Sequence, residues 1–94
     1  TQANARIHLV ATVAVVFLGL VLGISLTDWC LVIAAASMVW AAEALNSALE
    51  LLADYTAPKW HPLIEQAKDV AAGAVLLTAI GALLIGVLVF VPYL

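Results

Sequence analysis

Glu43, Asn46, Glu50 and Asp54 are spaced by three, four and four residues in a stretch free of proline and glycine. On a helix this spacing places the four side chains within an arc of about 80°. Three carboxylates and an amide on one face suit a cation, a phosphate-bearing ligand, or both. Carboxylate oxygens are ligands for hard cations such as Mg2+, and a positioned carboxylate can take the proton of a reacting hydroxyl. The surroundings sharpen the point. The chain is 67% hydrophobic and 10% charged, with mean hydropathy +1.22. Ionisable groups inside a membrane helix are costly and mark functional sites.

Composition excludes several classes. A soluble domain is usually about half apolar and about a quarter charged, and these 94 residues carry too little polar surface to cover a water-soluble globule. The chain reads as one integral-membrane domain. A net charge of −3 and the absence of a basic cluster argue against nucleic acid. Cys30 stands alone, so no disulfide framework or cysteine metal site is expected; it reads as a small apolar packing residue. The chain opens on Thr1 without a signal-peptide pattern, and a preceding segment is expected to be missing.

The elements that must position the acid face are three apolar helices, expected at about residues 7–26, 28–53 and 63–91. Each is long enough for a hydrocarbon core of about 30 Å. Ser25, Thr27 and Asp28 mark the first turn, with Thr27 or Asp28 as the cap of the next helix. Tyr55 to Pro62 reads as a loop broken by Pro58 and Pro62, and Pro92 ends the last helix. Arg6, Lys59 and Lys68 fall on one side of such a three-span chain, which the positive-inside rule makes cytoplasmic. His8, Glu50, Asp54, His61, Glu65 and Asp69 lie at or near that side. Glu43 falls roughly 22 Å from the outer end of its helix, with Glu50 two turns nearer water. This ladder fits a substrate that is half lipid and half aqueous. Alanines and glycines in the second and third spans, among them Ala34, Ala35, Ala36, Gly73, Gly81 and Gly86, favour close helix packing. Three helices cannot enclose a polar face alone, so a homo-oligomer is expected. Trp29, Tyr55, Trp60 and Tyr93 sit at span ends as an interfacial belt, while Trp40 lies inside a span as packing or lipid contact.

The stretch EALNSALELLADYTAPKWHPLIEQAKDVAAGAVLL, residues 43–77, resembles the prokaryotic diacylglycerol kinase and undecaprenol kinase family. The family pattern is an acid, Asn-Ser-Ala three residues on, a second acid at the seventh place, a His-bearing loop, and Ala-Lys-Asp opening the last helix. Here these are Glu43, Asn46-Ser47-Ala48, Glu50, His61 and Ala67-Lys68-Asp69. NARIHL, residues 4–9, is similar to the start of the first span in the undecaprenol kinase branch. Two features depart from the family. Its basic amphipathic N-terminal helix is expected to be absent from this chain, and the Glu that serves it as one metal ligand is here Gln2, which can offer an amide oxygen but no charge.

The resemblance implies an all-α homotrimer of three-span protomers in the bacterial inner membrane, phosphorylating a lipid alcohol from ATP and Mg2+ on the cytoplasmic side. Undecaprenol is the first expectation and diacylglycerol the second. Phosphoryl transfer needs charge neutralisation, alignment and an acceptor for the alcohol proton. Glu50 is placed to hold the metal, with Gln2 as second ligand. Glu43, the deepest and most desolvated acid, suits the general base. Asn46 orients Glu50 or touches the γ-phosphate. Lys68 meets phosphates as a point charge, Asp69 orients it or binds nucleotide, and Lys59, Trp60 and His61 form a loop over base and sugar. Arg6 and His8 are cytoplasmic anchors or lipid-headgroup contacts; the resemblance adds Asn4, Ala72 and Glu43 on the lipid side. No P-loop or soluble-kinase signature is present in the sequence. The competing reading is a small oligomeric transporter or proton conductor, which would also use intramembrane carboxylates.

Overall fold

The computed structural model describes residues 2–94, and side chains from Asn4 onward. Three α-helices follow one another: α1 Gln2–Leu22, α2 Leu26–Thr56 and α3 Pro62–Phe90, with a 3-10 turn Val91–Tyr93 at the end. They run up, down and up. All three are long and apolar enough to cross a membrane. α2 and α3 form the main packed pair, and α1 is joined chiefly to α2. A small core of Ile24, Val32, Val89 and Phe90, with Trp29 and Ile85 against it, closes the end opposite the acid face.

Each boundary has a local cause. The first turn falls earlier than the apolar pattern suggests, over residues 23–25. Gly23 turns the chain at φ 62, the left-handed region glycine enters freely. Ile24 then folds back into the core, and the cap is Ser25, not Thr27 or Asp28. The Ser25 hydroxyl accepts from the Asp28 amide at 3.1 Å, satisfying one of the orphan donors of a helix start. Leu26, expected as the end of the first span, is therefore the first residue of α2. Gly19 permits this turn to close: a Cβ there would lie 2.7 Å from the Trp29 indole. At the far end of α2, Ala57 leaves helical geometry directly before Pro58, as residues preceding proline tend to. α3 opens with Pro62 at its first position, where a missing N–H is harmless.

The first turn is also tied to the last. The Tyr93 hydroxyl donates to Asp28 Oδ2 at 2.6 Å and accepts from the Ser25 amide at 3.1 Å. This bond fixes the end of α3 beside the start of α2, so Tyr93 is a clasp as well as an interfacial aromatic. Trp29 likewise packs inward over Gly19.

Candidate active site

The polar residues gather at the other end of the bundle, where α1 and α3 begin and α2 finishes. Glu43 is the buried charged residue of α2, 6% exposed. It stands roughly 26 Å along α2 from Leu26 at 1.5 Å per residue. With that start at one membrane surface, about 4 Å of a ~30 Å hydrocarbon core remains below Glu43. Glu50 lies two turns further on, at headgroup depth. α2 is 31 residues long, so its last turns project beyond the core.

Glu43 faces α1. His8 Nε2 lies 3.4 Å from Glu43 Oε2. The His8 ring is held in turn by Trp40, with centroids 6.1 Å apart and planes at 59°. The indole N–H of Trp40 donates to Thr12 Oγ1 at 3.0 Å, and that hydroxyl donates to the His8 carbonyl at 2.7 Å. Trp40, read from sequence as packing or lipid contact, is thus part of a small polar cluster between α1 and α2. Arg6 and Asn4 precede it on α1 and are exposed.

One turn beyond Glu43, the Asn46 side chain donates to Glu50 Oε1 at 3.4 Å. Its Oδ1 is buried and has no hydrogen-bond partner among the described residues. An orphaned buried acceptor costs about 1–3 kcal/mol, so this oxygen is suited to a cation or a donor supplied by a ligand. Among the described residues no three His, Cys, Asp or Glu converge as a preformed metal cage. Glu50 with the Asn46 oxygen nevertheless fits Mg2+, which typically takes one or two protein carboxylates and completes its octahedron with water and phosphate oxygens. The side chain of Gln2 lies outside the described residues.

α3 supplies the cation. Lys68 Nζ donates to Asp54 Oδ1 at 2.9 Å, and Glu50 also acts on its charge. Asp54 stands in the last turn of α2, against the negative end of that helix dipole. Lys68 offsets that charge across the helix pair. Asp69 and Ala72 are exposed on α3. The loop residues Lys59, Trp60 and His61 line a shallow recess with Leu63 and Ile64. Within it, His61 caps α3 by accepting from the Leu63 amide through Nδ1 at 3.1 Å, and Trp60 donates through its indole N–H to Glu65. The structure therefore joins Glu43 with His8, Asn46 with Glu50, and Lys68 with Asp54. It sets the 59–61 loop beyond them at the water end.

The chain matches the family described as prokaryotic diacylglycerol kinase over residues 1–90. It is 36% identical over 92 residues to an undecaprenol kinase of Bacillus subtilis, covering 98% of this chain and 75% of that protein. It is 39% identical over 93 residues to a diacylglycerol kinase of Synechocystis, covering 98% of this chain and 53% of that protein. No solved structure gives a significant match. These likenesses decide for a kinase over a transporter: the chain belongs to the prokaryotic diacylglycerol kinase family of membrane lipid kinases, phosphotransferases that act on an alcohol.

Proposed function

We propose that this protein transfers the γ-phosphoryl group of Mg·ATP to the hydroxyl of a membrane lipid alcohol, undecaprenol first and diacylglycerol second. The observation that supports the reading best is the graded ladder on α2. Glu43 is buried at the inner edge of the apolar slab, and the half-exposed Asn46 and Glu50 lead from it towards water. A lipid hydroxyl reaches the first and a nucleotide reaches the second without either leaving its own phase. Glu43 accepts the alcohol proton as the oxygen–phosphorus bond forms. Glu50, with Gln2 as a weaker uncharged partner, holds Mg2+, which neutralises phosphate charge when bound. Asn46 orients Glu50 and offers its spare oxygen. Lys68 leaves Asp54 to meet the phosphates, and Lys59, Trp60, His61 and Asp69 hold the nucleotide. Asn4, Arg6, His8 and Ala72 border the lipid. Undecaprenol is preferred because residues 4–9, NARIHL, resemble that branch.

The site works on the cytoplasmic face of a bacterial membrane, where Arg6, Lys59 and Lys68 gather. The assembly is a homotrimer, which would cover the half-exposed Asn46 and Glu50. The deciding experiment incubates the protein in lipid with labelled ATP and each lipid in turn. Labelled undecaprenyl phosphate exceeding labelled phosphatidic acid is the expected result. Label in neither lipid, from folded protein, defeats the reading.

A further inference from the structure

We propose that His8 carries the proton of each turnover away from Glu43 to water. The inference rests on the reading of Glu43 as general base. A base that accepts one proton per cycle must lose it before the next. The Glu43 side chain is 8% exposed and set in an apolar span, whereas the His8 side chain beside it is 18% exposed. His8 Nε2 stands 3.4 Å from Glu43 Oε2, close enough for transfer after a small approach. Histidine is the side chain whose ordinary titration lies between pH 5 and 8, so it can both accept and release there.

The step balances. The lipid O–H bond breaks as its oxygen bonds to phosphorus, and the proton passes to Glu43 Oε2. From there it goes to Nε2 of a neutral His8, whose Nδ1–H proton leaves to interfacial water. Glu43 is then restored, and His8, left with its proton on Nε2, returns to the Nδ1–H tautomer by proton exchange with interfacial water before the next turnover. The clamp supports this role. Trp40 against the ring, and Thr12 joining that indole to the His8 backbone, fix the imidazole in front of the carboxylate. A histidine serving only as a surface anchor would not need one. The charged group in contact with His8 is Glu43 on α2; Arg6, two residues before it on α1, falls on the other side of that helix, and Lys68 of α3 is engaged by Asp54.

Four variants separate the possibilities: Glu43→Gln, His8→Gln, His8→Asn and His8→Ala, each in lipid with Mg·ATP. His8→Gln keeps a polar side chain of similar length beside Glu43 but cannot carry a proton. It should lower kcat by about 10²-fold, the low end of the usual worth of a proton-transferring group, with lipid KM and nucleotide affinity unchanged. Added imidazole should raise kcat in His8→Ala and not in the parent. If His8→Gln fails to bind Mg·ATP and is therefore misfolded, His8→Asn is read in the same way. Parental kcat in the glutamine variant, or in the asparagine variant read in its place, overturns the proton-carrying role. So does a lack of imidazole response in His8→Ala. If Glu43→Gln retains transfer, the reading of the base itself has failed, and the role of His8 with it; if Glu43→Gln is inactive and His8→Gln is not, only the role of His8 has failed.

Discussion

At the scale of single residues, the roles proposed for the α2 acids differ by depth, and the difference can be measured. Glu43→Gln should abolish transfer, by about 10²- to 10⁴-fold in kcat, while Mg·ATP still binds, because the carboxylate lies away from the phosphates. Glu50→Gln should weaken Mg·ATP binding itself, since on the proposed reading it removes the principal metal charge. Isothermal titration beside turnover assays reads the two losses separately. The reverse pattern, with affinity lost at Glu43 and both affinity and rate kept at Glu50, would mean the roles are exchanged. Gln2→Glu should leave transfer unchanged or improve it by adding a second charge near the metal, and a clear loss of rate would exclude that position from the metal site. The ladder was legible in the sequence because 3-4-4 spacing within one helix fixes one face. The His8–Glu43 contact was not, because periodicity relates residues of one helix and says nothing about which residues of two helices meet. Trp40 escaped for the same reason. Its indole N–H is a donor, and a tryptophan inside a span usually finds a partner for it. That was the available signal, and Thr12 is the partner.

At the scale of elements, the helices themselves were visible in apolar run length, while their joints depended on single residues. The first joint was misplaced because Leu26 continues an apolar run and hides the break at Gly23. The signal was the glycine and the serine two residues after it, a turn former followed by a helix cap. The joint carries sharp expectations for stability, checked by thermal or SDS unfolding in detergent micelles. Ser25→Ala should cost about 1 kcal/mol as a lost cap. Gly23→Ala should cost about the same order through its left-handed backbone. Gly19→Val should cost more than either, because the new Cβ would fall 2.7 Å and 2.9 Å from two atoms of the Trp29 ring. These residues lie at the end of the bundle far from Glu50, so Mg·ATP affinity should be unchanged in all three. An affinity loss as large as the stability loss would show that the two ends are coupled.

At the scale of the whole molecule, one protomer is a rod of 51 × 19 × 17 Å, long enough for an apolar core of about 30 Å with both ends in the interfaces. Much of the surface in that core is aliphatic and suits lipid. Two features do not. Asn46 and Glu50 are half-exposed on α2 at the inner edge of that core and just beyond it, and polar groups close to membrane depth usually face protein or a water-filled cavity. Gly73, Gly81 and Gly86 on α3 have open space where a side chain would stand, although small residues in membrane helices typically mark close helix contact. Within the single chain no atom fills that space, and the close packing expected of these glycines from sequence would have to come from another copy. Both features are met if copies of the chain associate, and a trimer is the expected state. Cross-linking in a native-like bilayer should trap species up to three copies, with activity following the trimer. Gly73→Leu and Gly81→Leu provide the structural control. Neither new side chain meets another atom at its Cβ within the protomer, so the fold should survive. A shift to monomer with retained helicity would place the contact on that face of α3. An unshifted trimer would leave the face to lipid, and a strictly monomeric protein with full lipid kinase activity would exclude assembly as a requirement of the site.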